Sequence, residues 1–220
     1  MIKKIVKSNK KPELLVITPL SLGDKISKET KKGIKRNKVS FDWISYMGKG
    51  NPYKNTKLAY KQYRKDNGFV PKYVLKIDND ITPTRYLMDR MYNVLENSDN
   101  NIAYAYTSFE FIGSINVKFP LRPFNKKFLL KNNYISSMSM IKTQLLDQTG
   151  SFVIDDKYFR LLDWCLWLKF LKFGFIGAPI ENAHFTAFAG PKSISCRGLK
   201  DYKEKYQHVK EDFINKIKID

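Results

Sequence analysis

Histidine and cysteine are scarce in this chain, two of each among 220 residues, and its 21 acidic side chains are outnumbered by 40 basic ones. Each shortage narrows the field. Cys165 and Cys196 have neither metal-ligand spacing nor a second pair, so no zinc site or disulfide framework is indicated and both are expected as reduced structural thiols. No apolar run approaches the roughly 20 residues that cross a bilayer, and the opening Met-Ile-Lys-Lys-Ile-Val-Lys lacks the apolar core of a secretory signal, which points to the cytoplasm. The deficit of acids leaves a formal charge of +19, suited to nucleic acid, an anionic membrane face or a phosphorylated small molecule. Much of that charge is lysine scattered along the chain, which a solvated surface explains as readily as a polyanion site. No internal repeat is present.

Hydrophobic residues make up 43% of the sequence and aromatic ones 14%, enough for one sizeable core. Residues 1–12 are basic and read as a loose leader outside that core. Leu14 to Thr18, Val39 to Met47 and Tyr73 to Ile77 are β-prone runs, and helical patterns over 21–37 and 55–65 separate them. That alternation predicts a parallel sheet with crossover helices. Thr84 to Glu96 reads as an amphipathic helix, Ile102 to Phe109 and Phe111 to Phe119 as two strands broken at Gly113, and Tyr134 to Ile141 as another. Asp163 to Phe173 is a strongly apolar helix closed by Gly174, and Phe175 to Ile180 a last strand. Thr186 to Lys200, with Gly190, Pro191, Gly198, Lys192, Arg197 and Lys200, has the composition of a mobile basic loop. Tyr202, Tyr206, Val209, Phe213 and Ile217 then mark one face of a terminal helix over 201–220, packed on the domain rather than on a membrane.

Three features carry possible chemistry. The apolar run from Tyr73 ends in Asp78-Asn79-Asp80, two carboxylates one residue apart at the carboxyl end of a strand, where open α/β sheets bind ligands. Such a pair can face Mg²⁺ or Mn²⁺, whose remaining ligands are usually water and phosphate; it is equally a polar turn, with Thr82 capping a helix and Pro83 opening it. Asp163 heads an otherwise apolar aromatic helix, as a cap does and as a general base does, since an apolar wall raises a carboxyl pKa. His184 follows the last strand in polar surroundings, either structural or a further ligand for Mn²⁺.

In this order the features resemble the GT-A type glycosyltransferases, specifically the family 2 nucleotide-diphospho-sugar transferases, over residues 14–197. The resemblance rests on the strand ending Thr18-Pro19, on Asp78-Asn79-Asp80, on Asn133-Tyr134-Ile135 through Gly150-Ser151-Phe152, on Asp163-Trp164-Cys165-Leu166-Trp167-Leu168, and on Gly174-Phe175 leading to His184. It implies an α/β GT-A (Rossmann-like) fold with a mixed, mostly parallel central sheet flanked by helices. Residues 13–200 would be the catalytic domain, 13–83 its nucleotide-binding half and 84–200 its acceptor half.

By resemblance, Asp80 is the direct ligand of Mn²⁺ or Mg²⁺ and His184 completes the shell. Asp78 and Pro19 lie on the donor, a nucleotide-diphospho-sugar, and Asp163 deprotonates an acceptor hydroxyl in an inverting transfer. Lys192 and Arg197 would close over the diphosphate. The acceptor, whether glycan, lipid-linked molecule or protein, is not specified, and peripheral contact with an anionic membrane is compatible with the charge. The chain departs from the family at Leu20-Ser21, and at Leu162 before Asp163. The competing reading is a basic nucleic-acid-binding protein or metal-dependent nuclease, disfavoured because the aromatics sit in apolar patterns rather than among the basic clusters.

Overall fold

The computed structural model describes residues 2–191, 193 and 202–217. Three strands form its first half: β2 (Leu14–Leu20), β3 (Phe41–Met47) and β4 (Tyr73–Lys76). They are parallel, with β2 in the middle. Every residue of β2 is buried, as expected for a parallel strand covered on both faces. Leu15 and Ile17 project into one core and Leu14 and Val16 into the other, the period-two alternation of a strand.

Helix α1 (Lys28–Lys35) crosses from β2 to β3, and α2 (Pro52–Asn67) from β3 to β4. Helix α2 starts where the Asn51 side chain accepts from Lys54 N–H and Pro52 takes the first turn, and it stops at Gly68, whose φ of 72° is the left-handed cap glycine adopts without strain. Because β4 lies on the side of β2 away from β3, the connections leaving β2 and β4 diverge. The crevice at their carboxyl ends is the topological switch point of an open α/β sheet.

Beyond β4 the sheet is mixed. Strand β8 (Met140–Lys142) runs antiparallel to β4 and to β6 (Ile102–Gly113); β9 (Ile176–Ala189) is parallel to β6, and β5 (Ile81–Pro83) closes that edge antiparallel to β9. Strand β7 (Val117–Phe119) pairs with the far end of β6. Helix α3 (Leu87–Glu96) packs on one face of the sheet, and α6 (Leu162–Lys172) on the other. Two short helices, α4 (Lys126–Leu129) and α5 (Thr143–Gln148), and the last helix α7 (Tyr202–Asp212) complete the chain. Val209 of α7 is fully buried, and Tyr206 stacks on Trp164 with ring centroids 5.6 Å apart, so α7 does pack on the domain.

Several elements differ from the sequence expectation. Residues 2–6, read as part of a leader outside the core, form edge strand β1 (Ile2–Val6), antiparallel to β3. Ile2, Ile5 and Val6 pack against the core, and the pairing satisfies backbone groups that β3 would otherwise leave open. Residues 81–83 are a strand rather than the approach to a helix. The break expected at Gly113 lies at the end of a single 12-residue strand. Of 134–141, only the last two residues join a strand. Ser136 supplies the reason: its Oγ accepts from Met138 N–H (3.0 Å) and its carbonyl from Ser139 Oγ (2.8 Å), local bonds that replace a ladder. Strand β9 continues past Ile180 through the first residues of the expected basic loop.

Candidate active site

The crevice is built on one turn. After Lys76 the chain makes one more ladder bond, Ile77 N–H to the Ile17 carbonyl (2.9 Å), then turns through Asp78, Asn79 and Asp80 into β5. The start of α1 grips this turn. Ser27 N–H donates to the Asn79 carbonyl (2.9 Å), and the buried Thr30 hydroxyl reaches the carbonyls of Asn79 (3.1 Å) and Ile81 (2.6 Å). The Asn79 side chain returns a bond to the Lys25 carbonyl (3.1 Å). On the other flank, Phe188 N–H of β9 donates to the Asp80 carbonyl (3.2 Å).

Two carboxylates held this close repel. Burial, and after it the charge of Asp78, lift the Asp80 carboxyl to about 6. Beneath them lies a residue that sequence reasoning missed. Lys76 is only 5% exposed; its ammonium donates to Asp78 Oδ1 at 2.5 Å and to Ser137 Oγ at 3.2 Å, and it sits 5.4 Å from the centre of the Tyr53 ring. Lysine in an apolar run is ordinarily a solvent-facing residue, and its partners come from remote parts of the chain, so only their convergence could have exposed it.

Asp163 enters from the opposite half. It lies in the first turn of α6, where its Oδ1 accepts from Trp164 N–H at 2.9 Å. Burial raises its pKa, and the Trp164 N–H, the Asn133 side chain and then Lys76 oppose that rise. The indoles of α6 fix the segment that carries Asn133: Trp164 Nε1 donates to the Leu129 carbonyl (2.7 Å) and Trp167 Nε1 to the Ile135 carbonyl (2.9 Å). Tyr53 joins the two halves. Its phenol is pushed well up, first by burial and then by the charges of Asp163 and Asp78. Its hydroxyl has no hydrogen bond of acceptable geometry among the described residues, although Ser137 is near enough to oppose the shift.

The structure therefore brings Asp78, Asp80 and Asp163 around Lys76 and Tyr53. Pro19 is buried in β2 in register with Tyr46, at the same end of the sheet as Asp78. His184 is elsewhere. It is exposed within β9, its backbone bonded to Thr84, four residues along the strand from the Phe188 that meets Asp80. At roughly 3.3 Å per residue that separation is about 13 Å. The family resemblance put His184 in one metal shell with Asp80, and the sequence reading ended the last strand at Ile180. The strand instead runs on, absorbing Asn182 in a left-handed conformation (φ 55°) beside a register shift. Among the described residues no group of three or more His, Cys, Asp or Glu is arranged to hold a metal. Asp78 and Asp80 alone remain, a donor set that fits a hard cation completed by water and phosphate. Lys192 and Arg197 lie outside the described residues.

Comparison with known proteins is informative at the level of fold. No family model and no curated protein matches the chain. Among solved structures, TarS from S. aureus superposes with a TM-score of 0.63 at 14% identity, over 91% of this chain and 39% of TarS. TarS residues 1–349 in complex with UDP-GlcNAc give 0.67 at 13% identity, over 91% of this chain and 66% of that one. The mannosyltransferase PcManGT from Pyrobaculum calidifontis, in complex with GDP-Man and Mn²⁺, gives 0.54 at 12% identity, over 94% and 65%. The chain thus spans less than two thirds of each of these proteins. Its fold is that of the GT-A nucleotide-sugar glycosyltransferases, a mixed α/β sheet flanked by helices.

Proposed function

We propose that this chain transfers a sugar from a nucleoside-diphosphate donor to an acceptor hydroxyl. The observation that carries the reading is the convergence of the Asp78–Asp80 turn and Asp163 on one buried lysine, at the switch point of a GT-A sheet. That nucleotide sugars occupy TarS and PcManGT, with Mn²⁺ in the latter, supports the donor class.

In this reading Asp80 is the carboxylate for a divalent cation and Asp78 faces the donor ribose or a metal-bound water. When bound, Mn²⁺ or Mg²⁺ supplies positive charge against the departing diphosphate. Pro19 lines the donor side from the end of β2, and Lys192 and Arg197 are assigned to the diphosphate on chemical grounds. His184 is given no part in the metal shell, because the β5–β9 ladder separates it from Asp80.

Asp163 accepts the acceptor's proton as that oxygen attacks the anomeric carbon, and inversion follows from a single displacement with one base. Its raised pKa suits the task, since a carboxylate with some affinity for a proton is a better base than a fully solvated one. No described helix is long and apolar enough to cross a membrane; a cytoplasmic location, with peripheral contact to anionic lipid through the basic surface, belongs to this reading.

A thermal-shift panel of UDP, GDP and their sugars, with and without Mn²⁺, tests it. A nucleotide present at 100 times its Kd stabilises by about 2.7 kcal/mol, so one base should raise the melting temperature, and more so with the cation. Silence across the panel, together with tight and salt-sensitive binding of DNA or RNA, would instead favour the nucleic-acid reading.

A further inference from the structure

We propose that Lys76 is a positioning residue of the donor site, which locks Asp78 so that one carboxylate oxygen is committed to the protein and only the other faces a ligand. The proposal rests on the nucleotide-sugar reading above. An ammonium at 5% exposure has lost most of its hydration, and a buried charge persists only with partners that replace water. Here those partners are Asp78 Oδ1, Ser137 Oγ and the face of Tyr53, and they hold the amine on the inner side of the Asp78–Asp80 turn. Asp78, at 35% exposure, bridges inside and outside. With Oδ1 bonded at 2.5 Å, its rotation is arrested and Oδ2 is the oxygen left for a ligand.

The two acids thereby acquire different tasks. Asp78 becomes a fixed hydrogen-bond acceptor, and Asp80, which has no such ammonium partner among the described residues, is the one free to take a cation. Lys76 also ties the halves together mechanically, because Ser137 follows the segment whose Asn133 contacts Asp163.

The test is a double-mutant cycle on the affinity of UDP and of GDP in the presence of Mn²⁺, measured by calorimetry, with K76M, D78N and the double variant. Methionine keeps most of the stem volume and removes the charge. Loss of a charge-assisted bond should weaken nucleotide binding by roughly tenfold or more. Because Lys76 acts through Asp78, K76M should cost little further once D78N is present. In the opposite direction, K76M should bind Mn²⁺ alone more tightly, since the acids lose their internal cation.

D78N strands the buried ammonium and is the variant at risk of unfolding; the double variant, which removes both charges, should melt higher than D78N and keeps the cycle readable. Losses that multiply in the double variant, or a K76M protein with wild-type nucleotide and Mn²⁺ affinities, would reduce Lys76 to packing and overturn the proposal while leaving the nucleotide-sugar reading intact. A wild-type protein that binds neither nucleotide would remove that reading, and this one with it.

Discussion

Ser27 N–H donates to the carbonyl of Asn79 at 2.9 Å, so the residue that caps α1 also holds the residue between the two donor acids. Helix and turn form one unit, and the hydroxyl of Thr30, fully buried, completes it with bonds to Asn79 and Ile81. Thr30→Val keeps the shape and removes the donor, depriving the buried Ile81 carbonyl of this bond and leaving the Asn79 carbonyl with Ser27 N–H alone. A loss of about 1–3 kcal/mol in urea unfolding is expected, with a fall in nucleotide affinity larger than in a surface control. A variant as stable as the wild type would mean that Ser27, Lys25 and β9 hold the turn without the Thr30 hydroxyl.

Gly33 provides a second handle on the same unit. A Cβ built there would lie 2.5 Å from Pro83 Cγ, so α1 approaches β5 more closely than any other residue allows. Gly33→Ala must push the helix away from the strand that follows Asp80. Overpacking of this kind costs about 1–3 kcal/mol, and the displacement should loosen the turn enough to weaken nucleotide binding in the same assay. Unchanged melting and binding would show that the helix shifts without taking the turn with it.

How far the site was legible follows from where its parts lie in the chain. Asp78 and Asp80 could be found because a buried strand announces its own end, and Asp163 because one acid opens an apolar helix. Both signals are local. The pairing of residues 2–6 with β3 was hidden because their lysines look like a solvated tail, whereas an edge strand needs only one apolar face. His184 was read as lying past the last strand, which the apolar run ends at Ile180, yet the register shift opposite 106–108 carries β9 through it. Lys76, Tyr53 and Ser137 were invisible for a different reason. Each is ordinary in its own segment, and only the tertiary fold makes them neighbours.

Asp163→Asn separates donor binding from chemistry. The amide preserves shape and can still accept from Trp164 N–H through its oxygen, so the fold and the nucleotide affinity should be retained to within about twofold. It cannot take a proton from the acceptor. Loss of a general base typically costs 10²–10⁴-fold in rate, and transfer should fall by about that factor once a donor and acceptor are in hand. Full turnover in this variant would remove Asp163 from the role of base.

The raised pKa of Asp80, about 6, makes the ligand-free protein oppose its own acid chemistry. A carboxyl whose folded pKa exceeds its unfolded value binds its proton more tightly in the native state. The penalty it imposes is therefore absent below about pH 4, grows as pH rises from about 4 to about 6, and is full above that. At roughly 1.4 kcal/mol per pKa unit, it amounts to at most about 3 kcal/mol, less whatever solvent at the partly exposed side chain relieves. Asp80→Asn removes the charge and with it the penalty. In the absence of divalent ions the variant should melt above the wild type at pH 7.5, and the gap should close toward pH 4.5. Mn²⁺ should close it from the other side, stabilising the wild type at pH 7.5 and leaving the variant unmoved. Melting curves at the two pH values, with and without the cation, decide the matter: a gap that widens on acidification, or a variant that Mn²⁺ stabilises equally, would mean that Asp80 is not the strained carboxylate of this site.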